Sequence, residues 1–75
     1  MGKQYRDQEF LVAIGKRLVQ IRESKNITQE KLQAISGVDI RQIGRIERAE
    51  SNTSISILKQ LADILEIKLS ELVDV

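Results

Sequence analysis

The fold predicted for this chain rests on residues Gln29–Ile46, QEKLQAISGVDIRQIGRI. Its apolar residues recur at three- and four-residue spacing on both sides of Gly37, which indicates two helices. Glycine adopts the left-handed backbone conformation at no steric cost, so it suits the turn between them. The residues expected to pack the two helices together are Leu32, Ile35, Val38, Ile43 and Ile46. The spacing is that of a helix-turn-helix, although many helical hairpins share it.

Capping residues set the bounds of these two helices. Thr28 is a good N-cap for a helix over Gln29–Ser36. Asp39 begins the next helix, which reaches about Arg48, and Gln42 three residues later completes a capping-box pattern.

On either side of this stretch, the same apolar periodicity predicts three further helices. The first runs from about Asp7 to Lys25 with a stripe that begins at Phe10, and Asn26 suits a left-handed end. Ser54 caps a fourth helix that extends to about Leu65, and a short fifth helix covers Leu69–Leu72. We therefore predict an all-α, compact five-helix domain over residues 7–75, preceded by a flexible tail at 1–6.

Composition narrows the function classes. The 75 residues include no Cys and no His, which excludes disulfides and the usual zinc ligand sets, so we expect no metal and no cofactor. No apolar run approaches the roughly 20 residues of a membrane span, and we expect a cytoplasmic protein that contacts no membrane. The formal net charge of +1 is only a weak indication of nucleic-acid binding. The distribution of charge therefore has to carry the functional argument.

The third predicted helix has two distinct faces. At about 100° per residue, Arg41, Arg45 and Arg48 lie within one narrow stripe, and Ile43 and Ile46 lie on the opposite side. A guanidinium group can bond a guanine edge or a phosphate, so this stripe is a candidate DNA-reading surface. The alternative is a solvated basic face of the kind found on any surface helix.

Two charged residues lie at the margins of the apolar stripes. Glu47 is on the flank of the third helix nearest Ile43, and Arg22 is at the edge of the stripe on the first helix. A buried carboxylate is costly unless it is paired, so we predict an ion pair between Glu47 and Arg22. The alternative is that both side chains are exposed.

The stretch from Ile14 to Leu72 resembles the phage lambda repressor/Cro family, also called the xenobiotic-response-element type. The pieces that carry the resemblance are IGKRL at 14–18, IRE at 21–23, TQEKL at 28–32, SGV at 36–38, Ile43, RIER at 45–48, Leu58, LA at 61–62, Leu65 and LSEL at 69–72. The resemblance implies a five-helix fold, a bacterial or phage regulator associated with the nucleoid, and dimeric binding to an operator.

The resemblance also implies roles by position. The residues expected to contact DNA are Gln29, Asp39, Ile40, Arg41, Gln42, Arg45, Arg48, Ser51 and Asn52. Among these, Asp39, Ile40, Arg41 and Arg45 face base edges, whereas Arg48, Ser51 and Asn52 lie near the backbone. Gln29 meets phosphate or anchors a neighbouring side chain. Arg22 and Glu47 match a structural ion pair of the family.

The chain departs from the family pattern in five places. Asp39 brings a negative charge towards DNA, where it serves mainly as a helix cap or accepts a hydrogen bond from cytosine N4. Gln33 stands where Ala is usual, which predicts looser packing. Ala49 and Glu66 stand where Gly often caps a helix, and Ala in a left-handed cap costs about 1 kcal/mol. Lys68 replaces a common Ser cap, so the last helix should be short.

The C-terminal part carries more apolar side chains than one short helix can bury, and a leftover apolar patch often marks an interface. The surface predicted for a homodimer consists of Leu65, Ile67, Leu69, Leu72, Val73 and Val75. A two-fold contact would use that patch twice.

The predicted function is that of a sequence-specific regulator of transcription, which binds a palindromic operator in double-stranded DNA through the major groove as a homodimer. The runner-up is a protein-interaction or antitoxin-like module that retains the fold. Enzyme chemistry is disfavoured, because the chain has neither His nor Cys and its four glycines form no phosphate-binding loop.

Overall fold

The computed structural model describes residues 7–75, and that part of the chain is organised as five helices. Their bounds are α1 Gln8–Ser24, α2 Gln29–Ser36, α3 Ile40–Glu47, α4 Ile55–Ile64 and α5 Leu69–Val73. Once the capping residues are set aside, each predicted helix is present with ends that differ by at most one residue. The tail predicted at 1–6 lies outside the described residues.

Side-chain caps start the helices where the sequence predicts them. The carboxylate of Asp7 accepts from the amide of Phe10, and the hydroxyl of Thr28 accepts from the amide of Lys31 at 3.0 Å. Ser54 does the same for α4. These contacts satisfy backbone donors that have no partner inside the helix.

A residue in the left-handed backbone conformation follows each of the helices α1 to α4. Gly37 has φ 78°, and Asn26, Ala49 and Glu66 have φ of 57°, 59° and 60°. The left-handed conformations predicted at Ala49 and Glu66 are thus confirmed. Lys68 supplies no side-chain cap, but its amide donates to the carboxylate of Glu71 at 2.9 Å, and α5 is short as predicted.

One hydrophobic core joins all five helices. Its largest fully buried side chains are Leu18, Leu32, Ile43, Leu61, Leu65 and Leu72. Two predictions about packing were wrong: Ile35 is 38% exposed and Phe10 is 42% exposed. The neighbouring helices therefore cover each of these two side chains only in part.

The apolar residues at the C-terminus divide into two groups. Leu65 and Leu72 are 1% and 0% exposed, so the core has already used them and they offer no surface to a partner, contrary to the prediction. Ile67, Leu69 and Val73 are half-buried against the core and keep part of their surface, and Val75 is 54% exposed. An interface in this region would have to use these partly exposed side chains.

No helix within residues 7–75 is both long enough and apolar enough to cross a lipid bilayer.

Candidate nucleic-acid interface

Helix α3 is fixed by one face and exposed by the other. Ile43 and Ile46 are 0% and 3% exposed and pack α3 against the core, where it contacts α1 and α2. Arg41 and Arg45 are exposed. The helix therefore presents its arginines outward from a rigid support, which is the arrangement needed to enter a groove of DNA.

Side chains from two helices hold the turn that positions α3. The Gln33 carbonyl oxygen accepts from the amide of Ile40 at 2.7 Å, so this side chain reaches across the turn to the first residue of α3. The Gln60 amide donates to the carbonyl of Ser36 at 2.6 Å, and the Ser36 hydroxyl accepts from the amide of Val38. The looser packing predicted at Gln33 is not what its contacts show, because the longer side chain makes a hydrogen bond that Ala could not make.

Asp39 has two tasks at the start of α3. Its Oδ1 accepts from the amide of Arg41 at 2.7 Å, which makes it the N-cap. The same carboxylate contacts the guanidinium of Arg41, with Nε–Oδ1 3.2 Å and Nη2–Oδ2 3.3 Å. The hydrogen bonds from Arg41 lower the pKa of Asp39, and those from the side chain contribute more than the one from the backbone amide. Ile40 and Gln42, also predicted to contact DNA, are half-buried beside it.

A second arginine–carboxylate pair lies at the other end of α3. Arg48 donates from Nε and Nη2 to the carboxylate of Glu50, at 2.9 and 3.1 Å. The hydrogen bonds from Arg48 lower the pKa of Glu50. Arg45 lies near both pairs, since its positive charge contributes to the lowered pKa of Asp39 and of Glu50. The exposed face of α3 thus carries cations whose outer members are already paired with acidic neighbours.

Beneath this face, Arg22 and Glu47 join α1 to α3. Arg22 donates from Nε to Oε2 at 2.7 Å and from Nη2 to Oε1 at 3.1 Å, and the two side chains are 11% and 6% exposed. Gln29 donates to the same Oε1 at 2.7 Å, and Arg22 also donates to the carbonyl of Ile27. The hydrogen bond to Glu47 is the largest cause of the raised pKa of Arg22. Of its two predicted roles, Gln29 performs the anchoring one here.

A close helix crossing makes this pair possible. A Cβ at Gly15 in α1 would lie 2.6 Å from the carbonyl oxygen of Glu47 and 2.7 Å from that of Ile46. Only glycine lets the two backbones approach so closely.

The loop from α3 to α4 holds the remaining predicted DNA contacts. Asn52 is exposed and Ser51 is half-buried. The hydroxyl oxygens of Ser51 and Thr53 are buried without a hydrogen-bond partner in this structure. This loop borders an apolar groove of about 330 Å³, which is lined by Asp7, Phe10, Leu11, Ile14, Ile46, Ser51, Asn52, Thr53, Ile55, Leu58, Leu69 and Val73.

The sequence-based interpretation gave three residues no role in holding this region. Gln33 and Gln60 hold the turn through bonds to backbone atoms of other segments, and a single sequence carries no sign of such a bond. Glu50 was foreseeable, because a left-handed Ala49 turns the chain back and brings the following carboxylate towards Arg48.

Comparisons with known proteins agree with this geometry. The chain matches the helix-turn-helix family HTH_3 over residues 18–72. It is 39% identical to the restriction-modification controller protein C.AhdI from Aeromonas hydrophila, with a TM-score of 0.80 over 83% of this chain and 94% of that one. It is 30% identical to an HTH_3 family transcriptional regulator from Vibrio cholerae, with a TM-score of 0.84 over 89% of this chain and 38% of that one.

A third structure, the hypothetical transcription factor NHTF from Neisseria, is 20% identical and has a TM-score of 0.82 over 97% of this chain and 85% of that one, which shows a shared fold. No curated protein sequence matches the chain. The chain belongs to the HTH_3 family, the helix-turn-helix DNA-binding regulators of the lambda repressor/Cro type.

Proposed function

We propose that this protein is a sequence-specific regulator of transcription that binds a palindromic operator as a homodimer. Helix α3 enters the major groove, where Arg41 and Arg45 contact bases with help from Asp39, Ile40 and Gln42. Arg48, Ser51 and Asn52 contact the phosphate backbone from the end of α3 and the following loop.

The division of α3 into two faces carries this proposal. The buried Ile43 and Ile46 anchor the helix, and the exposed Arg41 and Arg45 on its other side are free of core contacts. Arginine bonds guanine through two acceptors of the major-groove edge, which is the commonest specific base contact. A helix supported on one side and lined with guanidinium groups on the other is suited to that contact.

Selection of bound sequences from random duplex DNA tests the proposal. The expected result is an enriched site with two inverted halves. Replacing Arg41 or Arg45 with Ala should weaken binding to that site by about tenfold or more and relax the preference at one base position in each half. Lys59→Ala is the control, since Lys59 is an exposed cation on α4 paired with Asp63. Unchanged sequence preference in both arginine variants would refute the assignment.

The homodimer is proposed to form through the apolar groove that includes Leu69 and Val73. Ile55 at the start of α4 is 71% exposed and Phe10 is 42% exposed, and both line this groove. An exposed apolar cluster of this kind commonly marks a protein interface. One recognition helix reads only a few base pairs, and a two-fold pair would place a second helix about 34 Å away, one turn of DNA.

Light scattering at micromolar concentration tests the dimer. Ile55→Asp is the sharpest variant, because Ile55 is exposed and Asp is favourable in the first turn of a helix. We expect a dimer for the wild type and a monomer for Ile55→Asp with unchanged helicity. Leu72→Asp is unsuitable, since Leu72 is fully buried and its loss would unfold the protomer. A wild type that stays monomeric on a palindromic duplex contradicts the proposal.

The similarity to C.AhdI supports a finer assignment, that of a controller within a restriction-modification system. The genes beside the one for this chain test it. Neighbours that encode an endonuclease and a methyltransferase are expected, and their absence would leave the broader role of a transcription regulator.

The second candidate is a protein-interaction module, and the paired arginines favour it. Asp39 and Glu50 neutralise much of the charge that Arg41 and Arg48 would present to DNA. The dependence of duplex binding on salt separates the two functions. A DNA regulator that neutralises several phosphates loses affinity steeply as salt rises, whereas an interaction module shows no duplex affinity to lose.

A further inference from the structure

We infer that Glu50 competes with the DNA backbone for Arg48 and thereby limits how tightly the protein holds any duplex. The inference rests on the proposed function, because it gives Glu50 a role in a DNA complex. It gives a second carboxylate, besides that of Asp39, a role at this site.

The contact between the two residues is two-pronged. Nε and Nη2 of Arg48 donate to Oε2 and Oε1 of Glu50 at 2.9 and 3.1 Å. A phosphate offers a guanidinium the same pair of oxygen acceptors in the same plane. The Glu50 carboxylate therefore occupies the edge of Arg48 that a phosphate would use.

The backbone keeps Glu50 within reach of Arg48. Ala49 is left-handed, with φ 59°, and reverses the chain after α3. The amide of Glu50 then donates to the carbonyl of Arg45 at 2.7 Å, and the carbonyl of Ala49 accepts from Gln8 at 3.1 Å. Since Ala49 is also buried, this corner is held from both sides, and Glu50 cannot move away by shifting its backbone.

The remaining face of Arg48 does not offer an easy alternative. Its Nη1 lies over Gly44, 2.7 Å from the position that a Cβ would occupy there. A phosphate that approaches Arg48 must displace the Glu50 carboxylate or accept a negative charge close by. Both outcomes reduce the gain from the contact.

The pair is open to water, with side chains 58% and 53% exposed, so its influence should be modest. From the strength of exposed ion pairs we expect Glu50→Gln to tighten duplex binding about two- to fivefold near 0.1 M salt. The slope of log affinity against log salt should steepen by about one, because Arg48 then displaces a counterion from DNA without first losing an internal partner. Backbone contacts carry no sequence information, so operator and unrelated duplexes should gain alike.

The experiment measures Kd for the selected operator and for an unrelated duplex of equal length, across a series of salt concentrations. Asp63→Asn is the matched control, since it also removes a carboxylate from an exposed ion pair, with Lys59 on α4. We expect Glu50→Gln to tighten both duplexes and Asp63→Asn to have a smaller effect or none.

A double-mutant cycle separates competition for Arg48 from plain repulsion between Glu50 and DNA. In an Arg48→Ala background, Glu50→Gln should no longer change Kd or the salt slope. An equal gain in that background would overturn the inference, as would unchanged or weaker binding by Glu50→Gln alone. In either case a wild type that binds duplex DNA leaves the proposed function standing. A wild type without measurable duplex affinity would overturn both.

Discussion

Two arginine–glutamate pairs near the end of α3 have nearly equal geometry, but one is buried and the other is exposed to water. Arg22 and Glu47 join through contacts of 2.7 and 3.1 Å, and Arg48 and Glu50 through contacts of 2.9 and 3.1 Å. The side chains of the first pair are 11% and 6% exposed, and those of the second are 58% and 53% exposed.

The difference lies in what happens when one partner is removed. In the interior, the remaining charge is shielded from water and has no other partner, so the loss of folding stability is large. At the surface, water and salt take the place of the lost partner. The same chemical contact therefore acts as a structural tie in one region and as an adjustable contact in the other.

Removing Glu47 should produce the largest effect. Glu47→Ala leaves Arg22 buried without a counter-charge and also breaks the bond from Gln29. We expect a loss of about 3–5 kcal/mol in the free energy of unfolding, measured by urea denaturation. Glu50→Ala is the matched control and should leave the unfolding midpoint almost unchanged. Equal stability losses in the two variants would show that burial does not distinguish the two pairs.

Gly15 lies against Glu47 and Gly44 lies against Arg48, and substitutions of these two glycines should give the next largest difference in stability. In Gly15→Ala the new methyl group would meet backbone oxygens of α3 at 2.6 and 2.7 Å, so the helices that Arg22 and Glu47 join must separate. We expect a loss of about 1–3 kcal/mol, as for other overpacked sites.

Gly44→Ala is the counterpart on the exposed side. The atoms nearest its methyl group would be those of the guanidinium of Arg48, an exposed group that can move into solvent. Since Ala is favoured over Gly within a helix by about 0.5–1 kcal/mol, thermal unfolding should show no loss and could show a gain. Equal destabilisation by Gly15→Ala and Gly44→Ala would show that α3 is as tightly confined on its outer face as on its inner one.

Acid titration of the two exposed pairs should give the smallest effect. The pKa of Glu50 is lowered below its ordinary 4.5 by Arg48, and that of Asp39 below 3.8 by Arg41. A carboxyl group whose pKa is lowered by folding stabilises the protein at any pH above the pKa of the unfolded state. This stabilisation is lost as the pH falls through the pKa of the folded state. Carboxyl carbon NMR titration measures both groups.

Two arginine variants test the cause of each lowered pKa. In Arg48→Ala the pKa of Glu50 should return towards 4.5, because the guanidinium is its main cause. In Arg41→Ala the pKa of Asp39 should return only partly, since the backbone amide at position 41 still donates to its carboxylate. A Glu50 that titrates identically with and without Arg48 would mean that the surface pair does not persist in solution.

Much of the fold could be predicted from the sequence because helical periodicity and capping are local. Thr28, Gly37 and Ser54 mark helix ends through bonds or backbone angles within a few residues. The placement of Arg22 and Glu47 at the margins of two apolar stripes also predicted the contact that the structure contains.

Long-range contacts and the order of burial could not be read in this way. Gln33 and Gln60 act on backbone atoms 7 and 24 residues away, and periodicity gives the direction of a side chain but not its reach. A surplus of apolar residues near the C-terminus indicated a surface, yet it could not show that Leu65 and Leu72 fill the core while Ile55 stays exposed.

The way the turn before α3 is held has a consequence for changing what the protein recognises. Its bonds come from Gln33, Ser36 and Gln60, and none of these is among the proposed base contacts. New side chains at positions 41 and 45 could therefore redirect the protein to another sequence without altering the scaffold. Position 39 is the exception, because Asp39 caps the helix as well as facing the proposed groove, and only Asn, Ser, Thr or Gly would exchange there at little structural cost.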